Sequence, residues 1–499
     1  MLRRIVCAFL LGAAMVAGFA PLTLFPVAII SMAGLVWLLG RAGNVRCGFV
    51  IGFSWGLGCF LFGVSWLYIA LNRFGAVPMP LAALAILLFC AYLALFPAIA
   101  AALFVRLRQP GLIRTALLFA SLWTFSELLR GWLFTGFPWL ALGYTQTTYS
   151  PLNGFFPLLG VYGVGFVAAL IAALLALAPW RQGYVEHGRP GRQCVTTLVG
   201  LISLTVLGCL TSWVSWTAPT GEPIRVALIQ TNIEQDLKWA PERLKDWLEV
   251  NAGLARDQRS DLVVLPETTL PLLMEQLPDG YLEYLSAGAR TQNGDLVVGI
   301  FTRDENGRIY NSALSYGTSP EQRYAKSHLV PFGEYSPPLF GWIYRIADIP
   351  MSDQTSGGWQ QPPLMLGDQR IGVNICYEDL FGRELLRFLP DATLMLNLSN
   401  LAWYGQSLAQ PQHLQIARAR ALETGRPMLR ATNTGMTAVI LPNGQLDGVL
   451  PAFERGVLNV AVQGYQGMTP YARWGDWVVS ILAAFGLFFG LSRRRMQVA

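Results

Sequence analysis

Charge is what this sequence has least of. Only 13% of its 499 residues are Asp, Glu, Lys or Arg, while 53% are apolar. An ordinary soluble chain carries about 25% charged residues, so that class is excluded. Acids are scarcest of all in the first part: before residue 221 there are two, Glu127 and Glu186, against twelve arginines. This scarcity argues against a transporter, whose spans hold ionisable side chains along a substrate path. Glu127, near a span end, is the main exception. Lysine is rare throughout, with Lys238, Lys245 and Lys326 against 33 arginines. There are three histidines (His187, His328, His413), no Cys/His spacing suited to zinc and no Gly-rich phosphate loop. No cofactor, metal or nucleic acid is expected. The net charge of +6 reads as a membrane signature.

What is present is long apolar runs. Spans of about 20 residues read at 5–21, 23–40, 48–70, 79–105, 112–129, 154–179, 195–216 and 471–492. The expected architecture is a polytopic α-helical membrane bundle of eight spans plus an α/β domain. Residues 1–216 form the bundle, 217–470 the domain, and 471–499 the last span and tail. Thirteen arginines (3, 4, 41, 46, 106, 108, 114, 181, 189, 192 and 493–495) fall on alternate, same-side segments, against Arg73 and Arg130 on the other. By the positive-inside rule both termini are cytoplasmic, and the domain lies across the membrane. The pair Gly52 and Gly56 reads as helix packing.

Residues 221–466 hold 27 acids and 20 bases, a net of −7. Short β-branched runs alternate there with helical patterns: strands at 224–230, 261–267, 295–301, 308–316, 370–376 and 392–399, helices at 241–254 and 412–425, and a hairpin around Asn443-Gly444. That alternation implies a layered α/β domain, whose chemistry collects at strand ends. Three residues stand there. Glu267 follows "DLVVLP", Lys326 sits in "RYAKSHLVPFGEY", and Cys376 ends "RIGVNIC". The other six cysteines lie in or beside apolar runs. A lone thiol in an oxidising compartment is either inert packing or kept for its reactivity. Glu267 as general base, Lys326 as the cation favouring thiolate and oxyanion, and Cys376 as nucleophile would make a covalent acyl-transfer site, with the Tyr377 N–H as a second oxyanion donor.

With "LPET" at 265–268, "YAKSHLVPFGEYSP" at 324–337, "NICYED" at 374–379, "SNLAWYG" at 399–405 and "GFPWLALGYTQ" at 136–146, the chain resembles the nitrilase superfamily. More closely, it is similar to the bacterial apolipoprotein N-acyltransferase family. The resemblance implies an α-β-β-α sandwich and a Glu267-Lys326-Cys376 triad. It implies supporting roles for Glu334, Tyr377, Glu378, Trp239 and Asn311. It further implies an inner-membrane enzyme with a periplasmic catalytic domain. The enzyme would take an acyl group from a phospholipid such as phosphatidylethanolamine onto Cys376 as a thioester, and pass it to the α-amine of a diacylglyceryl-cysteine at a lipoprotein N-terminus. Leu401 departs from the pattern, which usually has Asp there.

Aromatic residues crowd the loop 131–150 (Trp132, Phe134, Phe137, Trp139, Tyr144, Tyr149), as suits a membrane interface. The apolar stretch 336–350, with Phe340 and Trp342, reads as a lid. Alternatives are an amidase giving the acyl group to water, a cysteine protease pairing Cys376 with His328 or His413, and a scaffold.

Overall fold

A computed structural model describes residues 1–178, 191–336 and 353–492. The expected lid, with Phe340 and Trp342, lies outside them, as do Arg181, Arg189 and Arg493–Arg495. The chain divides into two compact units. One comprises Met1–Ser65, Ala83–Ser215 and the chain from Arg473; the other comprises Trp66–Ala82 and Trp216–Ala472.

The first unit is helical. Helices run over Leu2–Met15, Phe25–Gly40, Val45–Val64, Met79–Leu107, Leu112–Arg130, Phe156–Leu177, Arg192–Thr211 and Trp477–Leu491. Each of the eight expected spans thus contains a helix, but five are long and apolar enough to cross a membrane: Val45–Val64, Met79–Leu107, Leu112–Arg130, Pro151–Leu177 and Cys194–Thr211. Phe25–Gly40 and Trp477–Leu491 have 16 and 15 residues, and the first helix has 14. At about 1.5 Å per residue these reach less than the ~30 Å of a hydrocarbon core.

Glycine lets two of the long helices touch. A Cβ on Gly52 would come within 2.6 Å of the Ala101 Cβ and the Pro97 carbonyl, and one on Gly56 within 2.6 Å of Pro97 Cγ. The small-residue packing expected for this pair is what is observed. Arg130 is buried. It donates to the carbonyls of Phe137 and Trp139, both at 2.6 Å, while Glu127 accepts from the Leu142 N–H at 2.8 Å. Both side chains thus act as clamps on the aromatic loop. Within that loop Trp132, Phe134 and Tyr149 are exposed, and Trp139 and Tyr144 are buried.

The second unit is built on two six-stranded sheets. The strands are β1 Thr217–Gln230, β2 Leu262–Val264, β3 Asp295–Arg303, β4 Ile309–Gly317, β5 Gln322–Ala325, β6 Leu364–Leu366, β7 Gln369–Ile375, β8 Leu394–Ser399, β9 Met428–Thr432, β10 Ala438–Ile440, β11 Leu446–Val449 and β12 Gly456–Gly467. Their orders are β12-β1-β2-β3-β4-β5 and β11-β10-β9-β8-β7-β6. β1, β2 and β3 run parallel, as do β7, β8 and β9. Alternation along β1 shows the layering. Val226 and Leu228 join Ile371, Val373 and Leu396 of the other sheet in one core. Ala227 and Ile229 face the opposite way, onto Ala252, Ala255, Leu282 and Leu285 of the helices Leu244–Ala255 and Tyr281–Arg290. Beyond the second sheet, Leu414, Ala417 and Ala421 of the helix Ala409–Thr424 close the shared core. The layers are helix, sheet, sheet, helix. The hairpin forms where expected, with Gly444 at φ 76. β5, β6, β9 and β12 lie outside the expected strands, although Leu458, Val460 and Val462 alternate along β12 onto the core. β12, at the edge of its sheet, pairs antiparallel with β1 from 226 to 250 residues downstream, Gln230 facing Gly456 and Thr217 facing Gly467.

Candidate active site

Glu267 leaves the carboxyl end of β2 behind Pro266 and is buried. Its Oε1 accepts from Asn311 Nδ2 at 2.8 Å and its Oε2 from the Asn400 N–H at 2.7 Å. Lys326, just past β5, is fully buried; its Nζ lies 2.6 Å from Glu334 Oε1 and 3.6 Å from Glu267 Oε1. Asn311 serves both residues, because its carbonyl also receives the Lys326 N–H at 2.8 Å. Glu334 turns its second oxygen to the Val330 N–H at 2.8 Å. Burial works to strip the proton from Lys326, but the carboxylates of Glu334 and Glu267 outweigh it and hold its pKa above the usual lysine value.

Cys376 follows β7 in the left-handed region, at φ 54. Such a conformation costs a non-glycine residue of order 1–3 kcal/mol and persists where its surroundings enforce it. Here the enforcement comes from below. Asn397 Nδ2 donates to the Cys376 carbonyl at 3.3 Å and to Asn374 Oδ1 at 2.6 Å. Arg430 holds Asn397 Oδ1 at 3.0 Å, His413 Nδ1 at 2.7 Å and Asp379 Oδ2 at 3.3 Å. His413 Nε2 meets Asp379 Oδ1 at 2.6 Å. Both ring nitrogens of His413 are therefore engaged away from the sulfur. His328 is tied to Glu384 at 2.9 Å and stacked on Phe381 at 3.8 Å. The protease pairing has no geometric support.

Glu378 is a second anchor. Its carboxylate receives the N–H groups of Ile375 (2.6 Å), Ser327 (2.7 Å) and His328 (3.0 Å) and the Tyr324 hydroxyl (2.9 Å). This fixes the Cys376 turn against the Lys326 loop. Burial raises the Glu378 pKa, opposed by Arg387 and these donors. Tyr377 packs edge-on to Phe381 at 5.1 Å, and Trp239 lies 6.0 Å from Phe301.

Lys326 does favour the thiolate, but burial, with the Glu267 carboxylate next, raises the Cys376 pKa well above its ordinary value. A raised thiol pKa suits a site in which a general base takes the proton in the reaction step.

Several residues near the site carried no signal of their own. Asn400 supplies a backbone N–H, a contribution no side-chain pattern reports. Tyr404 is close enough to feel the charges of Cys376, Lys326 and Glu267, and packs on Trp66 at 4.5 Å. Its segment "SNLAWYG" could have suggested it. Trp66 stands 346 residues from its hydrogen-bond partner Gln412, and only the fold joins them. Leu401 is buried, with Cδ1 3.3 Å from where a Cβ on Gly435 would stand.

Residues 11–174 match the apolipoprotein N-acyltransferase N-terminal domain and residues 225–471 the carbon-nitrogen hydrolase domain. An apolipoprotein N-acyltransferase from Nitrosomonas europaea is 45% identical over 497 residues, covering 98% of this chain and 97% of its own. One from Chromobacterium violaceum is 43% identical over 498 residues, covering 98% and 94%. An amidase of the nitrilase superfamily from Nesterenkonia AN1 aligns with a TM-score of 0.39 at 20% identity, over 54% of this chain and 98% of its own. With near-complete coverage by such relatives and both domains in order, the chain belongs to the apolipoprotein N-acyltransferase family.

Proposed function

We propose that the protein transfers an acyl group from a phospholipid to the α-amine of a lipoprotein's N-terminal diacylglyceryl-cysteine, through a thioester on Cys376. The observation that carries the reading is the coupling of one half-buried thiol to a fixed carboxylate and a buried ammonium, Glu267 and Lys326.

In the first half, Glu267 takes the thiol proton as sulfur attacks an ester carbonyl, and Lys326 stabilises the oxyanion. A C–S bond forms, the C–O bond breaks, and the proton passes from Glu267 to the departing lysophospholipid alcohol. In the second half the acceptor amine attacks the thioester. A C–N bond forms, the C–S bond breaks, Glu267 takes the amine proton, and the sulfur recovers one as a thiol. Glu334 keeps Lys326 charged, Asn311 aligns base and lysine, and Glu378, Tyr377 and Trp239 shape the pocket. Phosphatidylethanolamine is the proposed donor.

The same reading assigns 1–216 to a membrane bundle, 217–470 to a periplasmic catalytic domain and 471–499 to an eighth span and cytoplasmic tail. The arginine asymmetry supports it, and short helices cross by local thinning of the bilayer. An impermeant thiol reagent on intact cells should label Glu222→Cys and spare Arg41→Cys until permeabilisation.

The decisive experiment is mass spectrometry of the full chain after incubation with vesicles of acyl-labelled phosphatidylethanolamine. A hydroxylamine-sensitive acyl group on Cys376, lost in Cys376→Ala and discharged by a diacylglyceryl-cysteine peptide, is expected. Discharge to water with no amide formed would favour the amidase. No acyl group on Cys376 would end the proposal.

A further inference from the structure

The fold buries a second lysine that the acyl-transfer scheme leaves idle. Lys238 lies in the connection after β1 and is only 2% exposed. Its Nζ donates to Thr268 Oγ1 at 2.7 Å, a bond that is itself buried. Among the described residues no carboxylate stands within ion-pair distance of that nitrogen. The nitrogen also lies 5.9 Å from the Trp239 ring centroid, but a buried amine held by one neutral hydroxyl and a ring face is expensive to keep, so a local reason should exist.

Thr268 supplies it. It is the residue after Glu267, β-branched, and in the left-handed region at φ 43. A β-branched residue resists that conformation, so the turn must be held from outside. Two ties hold it. Lys238 binds the Thr268 hydroxyl, and Asn251 Oδ1 accepts from the Thr269 hydroxyl at 2.7 Å. The same connection reaches the other side of Glu267. Gln235 Oε1 accepts from Asn400 Nδ2 at 2.9 Å, and Asn400 gives its N–H to Glu267. The segment 235–238 therefore braces the base from two directions.

We propose that Lys238 is a positioning residue for Glu267: its ammonium pins the strained Thr268 turn through a charge-assisted bond to the Thr268 hydroxyl, and so fixes the carboxylate that takes the thiol proton. This rests on the acyl-transfer reading. The Glu267 carboxylate favours the charged form of Lys238. Burial brings the Lys238 pKa down to about 8, against the pull of Glu267. The ammonium therefore holds its proton below about 8 and loses it above, inside the range where an α-amine acceptor also titrates.

The test is the single-turnover rate of thioester formation on Cys376 with phosphatidylethanolamine vesicles, over pH 6–9.5, in the full chain. Lys238→Met should slow acylation about tenfold or more with half-saturation unchanged, and erase an alkaline fall in rate centred near pH 8. Thr268→Val should slow it similarly, and the double variant no further, because both cut one link. Lys238→Arg, which keeps the charge above pH 8, should retain part of the rate and lose the alkaline fall. Thermal unfolding in detergent separates misfolding from mispositioning, and Thr268→Val reports on the link where Lys238→Met does not fold. If Lys238→Met or, failing its folding, Thr268→Val acylates at the wild-type rate with the wild-type pH profile, the assignment falls. It also falls if the two effects multiply. Absence of thioester in the wild-type protein would instead sink the acyl-transfer reading.

Discussion

The two units bury polar groups by opposite means. In the helical unit the interior is made from small residues and apolar faces, and its buried charges, Glu127 and Arg130, clamp a loop. In the sheet unit Glu267, Lys326, Glu378, Asp379, Arg420, Glu423, Arg426 and Arg430 are all buried and all hydrogen-bonded. Where apolar packing supplies specificity, ionic groups are dispensable. Where a chemical group must be held at one angle, networks of donors and acceptors hold it, and removing one partner leaves another exposed to a medium that cannot solvate it.

The contrast can be broken most severely at Lys326. Lys326→Met leaves Glu267 and Glu334 facing each other without their cation, and should cost about 3–5 kcal/mol along with all acylation. Thermal unfolding of the detergent-solubilised protein and thioester formation read the two losses. Glu267→Gln comes next. Acylation should fall about 10²–10⁴-fold, yet alkylation of Cys376 by iodoacetamide at pH 8 should quicken. The sign follows from the charge: the carboxylate raises the thiol pKa, so its removal lowers that pKa and enlarges the thiolate fraction at a given pH. Slower alkylation would show that Glu267 does not act on the sulfur as argued.

In the helical unit the effects should be smaller. Arg130→Leu frees the carbonyls of Phe137 and Trp139 and leaves Glu127 without its neighbour at 3.9 Å. A loss of about 2–3 kcal/mol is expected, with new proteolytic cleavage in the loop 131–150. Gly52→Val pushes two helices apart and should cost about 1–3 kcal/mol, with acylation kept at working temperature. A larger loss there than at Lys326 would reverse the comparison.

Much of this was visible beforehand. Apolar run length marked the eight longer helices of the first unit, and short β-branched runs marked β1, β2, β3, β4, β7 and β8. Glu267, Lys326 and Cys376 stood out because each residue type is rare or misplaced in its setting. Short edge strands such as β5 and β6 escaped, since three or four residues carry no periodicity. So did Lys238, whose lysine looks like any surface lysine until its burial is known.

Patterning along the chain dictated what each segment becomes, because helix and strand periods and apolar length act over neighbouring residues. It also marked the three reactive side chains, because composition makes them conspicuous. Only folding decided that Asn311 and Asn400 would grip Glu267, that Arg430 and Asn397 would hold the strained Cys376, and that burial and Glu267 would raise the thiol pKa. Those outcomes depend on desolvation and on contacts between residues up to 133 positions apart, and neither quantity exists until the sheets have closed on each other.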